Sequence, residues 1–343
     1  MKLGLFVLVG GRSKLRLGLT VLAMTVFVSG QGFAFGDMGK APTVQGTYVS
    51  MEGGFLLLND DEIFGFGKSN SETNFRNILV SPDDGYFAGG MIGYASTEPL
   101  IPGLWFKRIE GYALHERAED STSSRASGGG SIGLTDVDPS ALITALNDRG
   151  RAGASRDATE FGLKFEQDTI YDPTWSITWV LSPFVRLTDE DAFGACDCAR
   201  RTGNVDSWLA GALIDAEPEK WVSPSVALVG RLGAGLYGFN GDGTFRSHGI
   251  GFGGGPDPLA AHLTDSDSGV GFRGQLGAGL KFKVGRSGLL ETFAEADYFS
   301  DMPGVFLPSN TFAAHAPASV QTDDLWELRA GARLTFALGG GAP

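Results

Sequence analysis

Four histidines and two cysteines are the residues of this 343-residue chain best equipped for covalent or metal chemistry, and neither set is arranged as a site. Hydrolysis by an activated nucleophile needs a base within hydrogen-bond reach of its partner. His115 falls near the end of an alternating apolar stretch, on the apolar phase. His248, His262 and His315 stand in long polar segments with no Ser or Asp visibly placed to serve them. The chain is therefore expected not to be an enzyme, and His248 and His262 are the only bases worth testing in a hydrolytic assay. Cys196 and Cys198 form a C-x-C pair in an Asp/Gly/Arg-rich stretch. An oxidising compartment would permit a small disulfide between them, whereas two thiolates with no nearby His or third Cys do not complete a four-ligand metal site. The stretches Asn240–Thr244 and Asp265–Gly269 offer closely spaced hard oxygens of the kind Ca²⁺ takes. Each is short of a full site, and Asp, Asn and Gly are equally the default residues of turns. No metal and no cofactor are expected.

What remains is electrostatics. Arg108, Glu110, Lys164, Arg186, Arg231, Arg273, Lys281, Glu291, Glu295, Arg329 and Arg333 all sit one residue out of phase with apolar neighbours, as do Glu52, Glu160, Glu166, Lys283, Asp297 and Glu327. That spacing is the signature of strands with one apolar and one polar face. From Val270 to Val284, Val270, Phe272, Leu276, Leu280 and Phe282 share one phase while Arg273, Gln275, Lys281 and Lys283 share the other. Trp326 to Phe336, Thr159 to Glu166 and Trp175 to Leu187 divide in the same way. Polar faces turned to a common interior would bring both signs of charge together. They would either pair into a satisfied core or line a narrow, selective pore.

The elements that would place these residues are ten strands beginning near 45, 85, 104, 158, 174, 206, 222, 269, 289 and 324, with eight and twelve as alternatives. Short connections at 96–103, 169–173, 218–221 and 285–288 alternate with long polar ones at 58–84, 118–157, 188–205, 240–268 and 301–323. This is the asymmetry of an outer-membrane barrel with tight periplasmic turns and long extracellular loops. The fold class expected is thus all-β, a closed antiparallel transmembrane barrel. Within the loop 118–157, Asp138 as a cap and Pro139 in a first turn predict a short helix towards Asp148. Glycine, 52 of 343 residues, is about twice its usual roughly 7% share without a collagen period; crowded, curved barrel strands give it a use.

Lys2, Arg12, Lys14 and Arg16 precede the apolar run Leu17 to Val28, and Gly32 and Ala34 fit a cleavage site. Residues 1–34 are read as a secretory signal peptide and 35–343 as the barrel. The run is too short to span a bilayer as a helix. Losing the leader removes four cations and no acids, which makes the chain more acidic than its overall net charge of −13. Nucleic acid is an unsuitable partner for it.

The last strand, Trp326-Glu-Leu-Arg-Ala-Gly-Ala-Arg-Leu-Thr-Phe336, resembles the carboxy-terminal targeting strand of outer-membrane barrels. Gly46 to Leu58 resembles the first strand of the major-outer-membrane-protein-like, porin-like group of pore-forming barrels. The resemblance implies recognition by the barrel assembly machinery through the strand ending at Phe336, with seven residues following it, and a porin-like fold with no catalytic motif to carry across. The function expected is passive passage of small hydrophilic solutes, ions among them, or structural support of a Gram-negative envelope. The alternative is a surface adhesin or receptor displaying its long loops, and the third reading is an outer-membrane protease or lipid hydrolase. Expected partners are outer-membrane lipids, the assembly machinery and small solutes, with the chain acting as a monomer or small homo-oligomer.

Overall fold

The computed structural model describes residues 46–59, 63–69, 76–100, 105–126, 128, 130–135, 137, 142–146, 148–197, 199–249, 261–285, 288–308 and 317–338. The expected leader, 1–34, lies outside them. Fourteen strands are described: β1 Gly46–Asn59, β2 Ile63–Ser69, β3 Arg76–Val80, β4 Asp84–Ala95, β5 Arg108–Arg125, β6 Ser131–Thr135, β7 Leu142–Leu146, β8 Arg149–Asp172, β9 Trp175–Cys196, β10 Ala199–Ser223, β11 Val226–Gly249, β12 Ala261–Val284, β13 Gly288–Phe306 and β14 Ser319–Leu338. Ten of them close a barrel in the ring order β1, β14, β13, β12, β11, β10, β9, β8, β5, β4 and back to β1, with β3, β2, β6 and β7 forming a separate small sheet. The barrel closes because its first and last strands pair along their lengths, from Thr47 opposite Leu338 to Asn59 opposite Trp326.

Alternation explains which residues meet lipid. Leu232, Leu236, Leu276 and Ile214 point outward and are exposed, while their neighbours in sequence are buried or half-buried. Aromatic side chains bound this apolar band, as amphipathic rings do at membrane interfaces. Trp208 lies opposite Leu187, and Tyr298 packs on Trp326 at 4.9 Å, towards the end with the long connections. Tyr171 packs on Trp175 at 5.5 Å at the end with the short turns.

The strands run on well past the band. They reach 25 residues in β10, whereas about 10 tilted residues cross the hydrocarbon. This corrects several expectations. The long loop expected at 188–205 is instead the continuation of β9 to Cys196 and of β10 from Ala199, with those two residues paired. The stretches Asn240–Thr244 and Asp265–Gly269, read as turns, are strand, paired with Asp242 opposite Ser266. His248 and His262 likewise stand in β11 and β12 rather than in loops. The cause is common to all: beyond the lipid an outward side chain need not be apolar, so the hydrophobic alternation stops while the ladder continues. Asp157, Asp189, Asp206 and Asp242 form one outward cross-strand row there. The helix expected over 138–148 is replaced by β7, which pairs with β6 from Leu142 opposite Thr135; an isolated helix of about three turns is marginal on its own, and the edge of β6 supplies the hydrogen bonds instead. Asp138 and Pro139 lie outside the described residues.

Two structures fill the outer end of the barrel. The small sheet packs β2 against the inner wall, so that Phe66, Ile132 and Leu134 join Ala152, Ala154 and Ala192 in one buried apolar cluster. The outer part of β13 turns inward at a register shift between Phe299 and Met302, where Asp301 takes a left-handed φ of 55°. Val305 and Val320 thereby join the same cluster beside Val205 and Phe245. The described pairing of β12 with β13 starts at Arg273 opposite Phe299, so the outer half of β12 pairs with β11 alone.

Candidate functional site in the barrel lumen

Beneath the outer plug the lumen is crossed by a ring of alternating charges. Arg186 of β9 lies 2.8 Å from Glu116 of β5 and 3.8 Å from Glu160 of β8. Arg273 of β12 lies 2.9 Å from the same Glu160 and 3.2 Å from Asp297 of β13. Arg329 of β14 pairs with Asp297 and, at 3.3 Å, with Glu116, which closes the circuit. Arg186 also donates to both oxygens of Glu327. All seven side chains are buried. Such burial is tolerated because each charge has several counter-charges and the arginine forks match carboxylate geometry. Phe184 and Phe299 add aromatic faces to Arg273 at 4.9 and 4.8 Å.

From this ring the charged lining continues towards the short-turn, periplasmic end. Arg231 bridges Glu295 and, at 2.8 Å, Glu217. Arg333 lies 2.7 Å from Glu52 and 3.7 Å from Glu291. Lys281 donates to Glu219, and Arg108 holds Glu166 at 2.8 Å and Asp168 at 2.7 Å. Of these residues, Arg108, Glu166, Asp168, Glu217, Glu219, Lys281, Glu291 and Arg333 line a chamber of about 470 Å³ that reaches Asp172 and Pro173 at the β8–β9 turn, with Glu110 and Lys164 also in its wall. Phe336 faces outward near the end of β14, opposite Val49 and Gly288. Cys196 is disulfide-bonded; Cys198 lies outside the described residues.

The outer plug is fastened by charged residues of the wall. Arg201 of β10 donates to the carbonyls of Pro308 at 2.6 Å and Phe64 at 3.1 Å, and lies over the Phe64 ring at 4.1 Å. Burial pushes its pKa down to about 9. Glu190 accepts the Val305 amide at 2.9 Å and lies 3.6 Å from Arg156. Sequence reading missed Arg156, Glu190 and Arg201, which stand in segments taken for loops, and also Glu116, Asp215, Glu217 and Glu219. The signal for Glu116 was present, since it lies between two outward residues, His115 and Arg117.

No family model matches the chain, and no curated protein matches it. Among solved structures it is similar to the outer membrane protease OmpT of Escherichia coli, at 10% identity over 87% of this chain and 98% of that one, with a TM-score of 0.46. It is also similar to a FadL homologue of Pseudomonas aeruginosa (8% identity, 86% and 91% covered, TM-score 0.24) and to the transport unit of the autotransporter AIDA-I of Escherichia coli (8%, 86% and 91%, TM-score 0.27). The class defined by the closed ring and its apolar outer band is the outer-membrane β-barrel, and the protein resides in the cell outer membrane. One expectation is corrected at this point. The sequence was read as excluding an enzyme, and that exclusion falls because a protease stands among the barrels to which the chain is similar.

Proposed function

We propose that the protein is a porin-like envelope barrel held closed. It reinforces the outer membrane as a rigid cylinder, and it passes small hydrophilic solutes only when the charged ring and the outer plug part. The observation that carries this reading is the ring joining Arg186, Glu160, Arg273, Asp297, Arg329 and Glu116 across the lumen. Side chains of this kind close a path while paired and hydrate readily once separated, unlike an apolar core. Lipids contact the outer band, and the assembly machinery engages the strand ending at Phe336.

Arg186→Met tests the reading. Removing the guanidinium leaves Glu116 and Glu327 buried with less counter-charge, at a cost of about 3–5 kcal/mol in unfolding free energy. Water entering to solvate them should open the ring. Because the outer plug would still close the path, the substitution is combined with Gly194→Ala, whose added Cβ runs into the Gly65 carbonyl of β2; proteoliposomes carrying the folded double variant are expected to swell in an isosmotic pentose solution, and those carrying the unaltered barrel to keep their volume. A folded double variant that leaves the vesicles unchanged would remove solute passage from the proposal and leave mechanical support alone.

A further inference from the structure

Glu110 of β5 and Lys164 of β8 are direct cross-strand partners, yet they do not close on each other. Arg108 and Glu166, the next inward pair of the same two strands, do so at 2.8 Å. The open pair is held apart by two tyrosines. The Tyr48 hydroxyl donates to Glu110 Oε1 at 2.6 Å, and the Lys164 ammonium lies 5.4 Å from the centre of the Tyr112 ring. Each tyrosine lies against a glycine: Gly93 receives the Tyr48 ring and Gly162 the Tyr112 ring, and a Cβ at either position would run into the aromatic atoms. The glycines seat the rings, and the rings keep acid and base separate.

The neighbouring cations of the chamber are committed: Arg108 to Glu166 and Asp168, Lys281 to Glu219, Arg333 to Glu52 and Glu291. Lys164 makes no ion pair among the described residues. Both it and Glu110 are half-buried and line the chamber of about 470 Å³, a volume suited to a small molecule. The Lys164 ammonium stands beside a carboxylate whose second oxygen accepts no hydrogen bond among the described residues, and apolar surface is at hand in the buried Met91 and Trp221 of the chamber wall.

We propose that this periplasm-facing chamber binds a small zwitterion, an α-amino acid, with its carboxylate on Lys164 Nζ and its ammonium on Glu110. The inference does not depend on whether the barrel ever conducts. Calorimetric titration of the purified full-length barrel in detergent with leucine, 4-methylpentanoate and 3-methylbutylamine tests it. The last two lack the ammonium and the carboxylate respectively. Leucine is expected to bind at least about tenfold more tightly than either, because each analogue forfeits one charge-assisted hydrogen bond. Lys164→Met should abolish the advantage of leucine over the amine, and Glu110→Gln its advantage over the acid. The comparison on the unaltered barrel needs no variant, so it stands even if a substitution impairs folding. Leucine binding no more tightly than its single-charge analogues, or a folded Lys164→Met barrel that keeps the preference for leucine over the amine, would overturn the proposal.

Discussion

At the scale of single residues, the protein uses the same side chains to opposite ends on the two faces of its wall. Inside, every arginine of the ring contacts at least two carboxylates, so removing one member exposes several others. Outside, Asp189 has Asp157 and Asp206 directly opposite on its two neighbouring strands, an arrangement that destabilises a sheet. Asn204 offsets part of this by donating to Asp189 at 2.9 Å and Asp191 at 3.2 Å. Partial burial, with Asp191 and Asp206 nearby, raises the Asp189 pKa above its ordinary value. A carboxyl whose folded pKa is raised holds its proton more tightly in the folded barrel. Its contribution to stability is therefore greatest below the unfolded pKa of about 4 and is lost as pH rises through the folded one. Asp189→Asn should stabilise the barrel at pH 7, by less than about 1 kcal/mol because solvent screens the row, and should change nothing at pH 3. Urea unfolding at the two pH values measures this. A loss of stability at pH 7 would show that Asp189 is attracted to its surroundings rather than repelled.

At the scale of elements, legibility in the sequence followed the environment of each face. Strand β14 was readable from Trp326 to Phe336 because lipid demands Leu328, Ala330, Ala332 and Leu334 on one side while the lumen takes Arg329 and Arg333 on the other; its first residues, from Ser319, were read as loop. Strands β9 and β10 were readable only below Leu187 and Trp208. Above that level both faces accept polar side chains, so Arg201 and Glu190 went unnoticed although they fasten the plug. The partners within the ring were not readable at all, because Glu116 meets Arg329 across 213 positions of sequence and only the barrel's register brings them together. The plug itself makes a separate expectation. Gly194 faces inward on β9, and a Cβ there would collide with the carbonyl oxygen of Gly65, at the bulge in β2. Gly194→Ala should therefore lift β2 off the wall and leave the barrel ladder intact. Limited proteolysis is expected to cut the variant in the segments around β2 and β6 while the heat-resistant barrel band persists on gels; a cleavage pattern identical to the unaltered protein would mean that β2 does not depend on this contact.

At the scale of the whole molecule, the described barrel is a cylinder stopped twice, by an apolar plug at its outer end and by a charged ring at mid-depth, and it is hollow towards the periplasm. Each stop is made from different material. The plug comes from the small sheet and the inturned outer part of β13, and the ring comes from the wall below them, so loss of one leaves the other in place. Single-channel recording of the refolded barrel in planar bilayers tests this closure most directly. The account predicts stable insertion, verified by protection of the barrel from protease, with no current steps across a wide range of voltage. Steady, salt-dependent steps from the unaltered protein would contradict it, because they would require a continuous water path through the ring of Arg186, Arg273 and Arg329.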